Sequence, residues 1–247
     1  MTELYIELLK RCVSNTIYND DTDLMRGTFV EKDGKVLSDE GLKADMQLKY
    51  MGGIWPSKAH TMIGIPRLEN IQFCVESVLK YGIEGDLIEA GVWRGGASIF
   101  MRGILKAHGS DKCVWVADSF DGMPKEEGSE FHRYQDLAVS LEQVKANFNR
   151  YGLLDDHVKF LKGWFKDTLP SAPIEKLSVL RLDGDLYDST MDGLVNLYWK
   201  VSEGGFVIVD DYNSVKVCTE AVDDFRKQIG ITTAIVPIMG AGGYWRK

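Results

Sequence analysis

Between residues 85 and 211 the chain repeats one pattern: a short apolar run closing on an acid or a glycine, then apolar residues at helical spacing. The runs are Gly85-Asp86-Leu87-Ile88-Glu89-Ala90-Gly91, Val114-Trp115-Val116-Ala117-Asp118 and Val158-Lys159-Phe160-Leu161, then Leu177-Ser178-Val179-Leu180-Arg181-Leu182-Asp183 and Phe206-Val207-Ile208-Val209-Asp210-Asp211. Helical spacing fills 71–79, 98–105, 141–148 and 219–227. Strands that read apolar throughout and alternate with helices predict an α/β fold whose parallel sheet is covered on both faces. The runs at 233–238 and 243–246 flank Gly240-Ala241-Gly242, so a closing hairpin with an antiparallel C-terminal strand is expected.

The first seventy residues have a different texture. An amphipathic start, Leu4-Tyr5-Ile6-Glu7-Leu8-Leu9, is followed by Asn19-Asp20-Asp21-Thr22-Asp23, Lys32-Asp33-Gly34-Lys35 and Gly52-Gly53-Ile54-Trp55-Pro56. Turn residues dominate, so 1–70 is expected to be an arm or lid over the domain at 71–247 and not a domain of its own. With 29 Lys+Arg against 37 Asp+Glu the formal net charge is −8, which argues against a nucleic-acid partner. No apolar run reaches the ~18 residues that a membrane span needs. Cys12, Cys74, Cys113 and Cys218 are far apart with no metal spacing, so neither disulfides nor structural zinc are expected, and a reducing cytoplasm is the expected location.

Ligands of open α/β sheets bind at the carboxyl ends of the strands. The first ends in Glu89-Ala90-Gly91-Val92-Trp93-Arg94-Gly95-Gly96, a glycine turn into a helix in which Trp93 stands where a dinucleotide fingerprint has its middle glycine. The second ends at Asp118, a carboxylate placed to accept hydrogen bonds from ribose hydroxyls. Glu89, Gly91 and Asp118 together point to a nucleoside ligand. Asp183-Gly184-Asp185 and Asp210-Asp211 close the next two strands, and acids so crowded require a compensating cation. Hard oxygen donors on a rigid rim suit Mg²⁺ or another hard divalent ion.

Five ordered stretches, Ala59-His60-Thr61-Met62-Ile63-Gly64, the 89–96 turn, Asp118-Ser119-Phe120-Asp121-Gly122-Met123-Pro124, Leu182-Asp183-Gly184-Asp185-Leu186-Tyr187 and Val209-Asp210-Asp211-Tyr212, resemble the macrocin O-methyltransferase family. Its members are S-adenosylmethionine-dependent sugar O-methyltransferases of antibiotic biosynthesis. The resemblance implies a Rossmann-like class I methyltransferase: a mostly parallel seven-stranded sheet with a helical N-terminal lid. It implies that Asp183, Asp210 and Asp211 hold Mg²⁺ and that Asp185 is the general base. Glu89, Gly91, Thr61 and Met62 would hold the methionine end of the cofactor and Asp118 its ribose. Ser119, Gly163, Trp164 and Phe165 would surround the adenosine, with Ser98 and Asp183 completing the cofactor set. The implied acceptor is a small-molecule glycoside, with a catechol-like diol as alternative. A homodimer is a further expectation, through an N-terminal arm that reaches a neighbouring subunit.

His60 and His132 are rival bases, each equally readable as a hydrogen-bonded structural histidine, whereas His108 and His157 carry no role. The acidic stretch 125–130 reads as a solvated loop. A nicotinamide-dependent oxidoreductase would use Asp118 but leave the aspartates unexplained, and a non-catalytic cofactor-binding sensor would have no use for Asp185.

Overall fold

The structure is a computed structural model that describes residues 1–18, 20–24, 30–32, 35–37, 46–124 and 137–247, with side chains left aside at 30–32 and 35–37. His132 and the 125–130 stretch lie outside the described residues. Seven strands form one sheet: β1 Asp86–Ala90, β2 Val114–Asp118, β3 Val158–Lys162, β4 Leu177–Leu182, β5 Val201–Val209, β6 Val236–Pro237 and β7 Gly243–Arg246. Their order is β3-β2-β1-β4-β5-β7-β6. The first five run parallel, and β7 pairs antiparallel with both β5 and β6. The helices are α1 Thr2–Val13, α2 Met46–Met51, α3 Gly64–Lys80, α4 Gly96–Ala107, α5 Leu141–Arg150, α6 Phe165–Thr168, α7 Tyr187–Leu197 and α8 Lys216–Ile229. Among the described residues no helix is long and apolar enough to cross a membrane.

The period of two along each strand divides the core. Leu87, Val179, Phe206 and Ile208 point to the layer of α3, α4 and α5. Ile88, Leu180, Val207 and Val209 point to the layer of α7 and α8, with Leu194, Val222 and Phe225. The strands are therefore apolar on both faces, as parallel strands under two helical layers must be. β5 begins five residues before the apolar run at 206, because Gly204 and Gly205 disguise its polar start. α3 begins at Gly64 and crosses the boundary expected at residue 70, with Pro66 tolerated in its first turn.

α1 belongs to the core and does not cover the cavity. Its Ile6, Leu9 and Val13 join the layer of α3 and α4, and Leu9 packs so close that a Cβ on Gly103 would come within 2.1 Å of its Cδ2. Behind α1, the fully buried Asp23 accepts hydrogen bonds from Asn15 Nδ2, Lys49 Nζ and the Lys58 amide. One carboxylate thus gathers the end of α1, α2 and the strap at residues 52–63.

Candidate active site

A cavity of about 890 Å³ opens at the carboxyl ends of β1, β2, β4 and β5. Its walls include Glu89, Asp118, Asp183, Asp185, Asp210 and Asp211, the acids singled out by the strand-end pattern. Gly91, Thr61, Met62, Ser119, Trp164 and Phe165 also line it. Ser98 and Gly163 do not. The Ser98 hydroxyl is fully buried and donates to Glu89 Oε2, and the Gly163 amide donates to the Asp118 carbonyl at 2.9 Å. Both stand behind the residues that face the cavity.

Two arginines organise the acids, and neither was found from the sequence. Parallel pairing sets Glu89 of β1 directly beside Arg181 of β4. The fully buried Arg181 donates through Nη1 to Glu89 Oε1 at 2.6 Å and to Asp183 Oδ2 at 2.8 Å, and through Nη2 to Asp210 Oδ1. Arg67, in the first turn of α3, donates through Nη1 to Asp210 Oδ2. Part of the compensation assigned to a metal from the sequence is therefore supplied by guanidinium groups. A usable signal was present: Arg181 interrupts an apolar run two residues before Asp183, hence on the same face of the strand.

The balance still favours more positive charge. Among the described residues, Arg67 and Arg181 are the cations that bond Glu89, Asp183 and Asp210, while Asp185 and Asp211 add two further acids. Burial pushes Glu89 up to about 7 even though Arg181 and Ser98 oppose the shift. Burial, with Asp183 and Asp210 nearby, pushes Asp185 up to about 7 as well. Asp211 is raised well above the usual carboxylate range by burial and then by Asp185, Asp183 and Asp210. Asp211 Oδ2 is buried without a hydrogen-bond partner among the described residues. Asp183, Asp210 and Asp211 each offer an oxygen within 4.8 Å of the others. Asp185 sits at φ +56°, a left-handed conformation that carries strain in a non-glycine residue.

Asp118 orders the turn after β1. Its Oδ2 accepts from the Val92 amide at 2.7 Å and its Oδ1 from the Phe120 amide at 2.8 Å. Burial raises its pKa and these backbone bonds oppose the rise. Gly91 is required there: at φ +90° a Cβ would lie 1.9 Å from the Asp183 carbonyl oxygen. Trp93 makes at φ +48° the left-handed turn for which a dinucleotide fingerprint uses glycine, with the Arg94 guanidinium stacked 4.1 Å from its ring centroid. Arg94 Nη1 in turn donates to the carbonyls of Pro56, Ser57 and Ala59 and so anchors the strap.

His60 does not line the cavity. Its Nδ1 lies 2.6 Å from the Tyr151 hydroxyl, and burial lowers its pKa to about 4, reinforced by Arg150 and Arg94. It is a structural histidine. His108 contacts Glu76 and His157 the Asp111 carbonyl, both away from the cavity.

A sheet in this order, with an acid at the carboxyl end of β1, a glycine after it and a further acid closing β2 around one cavity, defines a class I methyltransferase, the class that uses S-adenosylmethionine. The chain belongs to the macrocin-O-methyltransferase (TylF) family, whose profile matches residues 2–247, and it is an O-methyltransferase. It is 52% identical to the 8-demethyl-8-(2,3-dimethoxy-alpha-L-rhamnosyl)-tetracenomycin-C 4'-O-methyltransferase of Streptomyces olivaceus, over 99% of this chain and 92% of that one. It is 49% identical to the mycinamicin III 3''-O-methyltransferase of Micromonospora griseorubida, over 99% and 96% of the two chains. The solved structure of the O-methyltransferase NovP superposes with a TM-score of 0.89 at 47% identity, covering 100% of this chain and 99% of that one.

Proposed function

We propose that this O-methyltransferase methylates a sugar hydroxyl of a glycosylated natural product, with a divalent cation held by Asp183, Asp210 and Asp211 and with Asp185 as general base. The observation that carries the reading is the trio of mutually close carboxylate oxygens beside a cavity whose acids outnumber its neutralising arginines. The donor set fits a hard ion such as Mg²⁺: oxygen ligands only, with the buried Asp211 Oδ2 still lacking a partner. A relative named for a rhamnosyl-bearing tetracenomycin supports a sugar as acceptor. The outer cavity wall is consistent with this, since Ser189, Asp192 and Ser214 can bond hydroxyls while Trp55, Met123 and Val217 offer apolar surface.

When bound, the ion would supply positive charge that favours the ionised form of an acceptor hydroxyl. S-adenosylmethionine would supply a methyl group already activated on a sulfonium. The chain's own task is alignment and proton removal. Glu89 and Asp118, fixed by Arg181 and by backbone amides, hold the cofactor end of the cavity. Thr61 and Met62 cover that end from the strap. Asp185, beside the proposed ion ligands on the cavity wall, takes the hydroxyl proton onto its carboxylate. A positioned base of this kind contributes about 10²–10⁴-fold.

The test is mass spectrometry of products from a panel of glycosides and their aglycones, incubated with S-adenosylmethionine before and after exhaustive chelation. Methylated sugar from glycosides alone, abolished by chelator and restored by Mg²⁺, is the expected outcome. Methylation of aglycones, or turnover indifferent to chelation, would overturn the acceptor or the metal part of the reading respectively.

A further inference from the structure

The strap at residues 52–63 is pinched at its neck. Gly52 and Gly64, at φ +74° and +73°, approach so closely that a Cβ on Gly64 would lie 2.3 Å from the Gly52 amide nitrogen. A loop whose ends touch in this way resembles an Ω-type loop, and its buried Ile54 packs on Leu24 and Leu48. It faces the cavity through Trp55, Thr61, Met62 and Ile63. The neck is closed by one side chain, Arg67, which is only 8% exposed. Arg67 Nε donates to the Ile63 carbonyl at 2.6 Å and Nη2 to the Gly52 carbonyl at 3.2 Å, one on each limb of the neck. The remaining nitrogen, Nη1, donates to Asp210 Oδ2. A planar guanidinium with all three nitrogens committed in this way is a rigid connector, which a lysine ammonium cannot reproduce.

We propose that Arg67 is a positioning residue that couples the carboxylate centre to the strap over the cofactor, so that an ion at Asp210 and a nucleoside under Thr61 and Met62 strengthen each other's binding. The inference rests on the metal reading given above and goes beyond it. An ion that fixes the Asp210 carboxylate also fixes the guanidinium hung on its Oδ2. The guanidinium in turn holds both limbs of the neck and thereby the strap that covers the cofactor end of the cavity. Linkage makes the effect reciprocal: whatever factor the ion adds to nucleoside affinity, the nucleoside adds to ion affinity. Arg181 reaches Asp210 from the opposite side but touches no part of the strap, so it fixes the carboxylate without carrying this coupling.

The experiment is calorimetric titration of the full chain with S-adenosylhomocysteine, with and without saturating Mn²⁺, together with amide hydrogen exchange across residues 52–63. In the parent, Mn²⁺ should tighten nucleoside binding by about 5-fold or more, at the low end of ordinary allosteric coupling, and should slow exchange in the strap. In Arg67→Gln each ligand binds more weakly, but the Mn²⁺-dependent ratio falls to about 1 and the change in strap exchange disappears. A merely structural role would lower both affinities and leave the ratio intact. Arg67→Lys, which keeps the charge and loses the fork, should likewise lose most of the ratio, and it serves if the glutamine variant does not fold. An unchanged ratio in either variant, or no ratio in the parent despite bound Mn²⁺, overturns the proposal alone. Failure of Mn²⁺ to bind the parent at all would remove the metal reading and this coupling together.

Discussion

Replacing Arg181 with methionine removes the cation shared by Glu89, Asp183 and Asp210 while keeping most of the side-chain volume. Breaking a buried pair by deleting one partner costs about 3–5 kcal/mol. An independent route to the size comes from protonation, the cheapest relief open to the orphaned acids. Glu89 already titrates at about 7 in the parent, so removing Arg181 adds cost only where the variant keeps that proton above pH 7, about 1.4 kcal/mol for each further pH unit. The sign follows from proton counting. The folded variant binds a proton that the unfolded chain releases above pH 4.5, so its stability falls as pH rises. Urea unfolding of parent and variant should give a stability difference about 1–2 kcal/mol larger at pH 8.0 than at pH 5.5, within the range of a broken buried pair. A difference that does not change with pH, or one below about 1 kcal/mol at pH 8, would refute the view that Arg181 neutralises this cluster.

Asp185→Asn keeps the shape and removes the proposed base, so kcat should fall about 10²–10⁴-fold while S-adenosylhomocysteine affinity stays within a few-fold, as read by single-turnover kinetics and calorimetry. His60 has its folded pKa lowered to about 4 from 6.5, so the unfolded chain binds more protons between those values and stability is lost as pH falls from 6.5 to 4. With part of the ring solvated that loss is about 1–2 kcal/mol, and His60→Phe should flatten it in acid unfolding curves. Gly91→Ala would drive a methyl into the Asp183 carbonyl at a left-handed backbone position, so it should weaken S-adenosylhomocysteine binding at least 10-fold by calorimetry.

The acids of the site were legible because each ends a short apolar run, and in a parallel sheet strand ends meet on one edge. β2 could be read residue for residue, since Val114 and Asp118 mark where the apolar run starts and stops. The cations were not legible in the same way. Arg181 gains its meaning from lateral pairing with Glu89, a relation between segments 92 positions apart that periodicity does not encode. Arg67 lies before the helix expected at 71–79 and carried no signal of its own; only the fold brings it to Asp210. Ser98 and Gly163, which the resemblance implied as cofactor contacts, bond Glu89 and the Asp118 carbonyl and do not line the cavity. The strap's part in the cavity wall was expected from the first seventy residues, whereas α1 turned out to be core, because its apolar stripe meets Gly103 and its neighbours on α4.

The proposed ion among Asp183, Asp210 and Asp211 is put to the test by an anomalous difference map from crystals grown with Mn²⁺ and S-adenosylhomocysteine. A single strong peak bounded by those three carboxylates, absent in crystals of Asp211→Asn, is the expected result. A map without a peak there, from crystals in which the nucleoside is fully occupied beside Glu89 and Asp118, would contradict it.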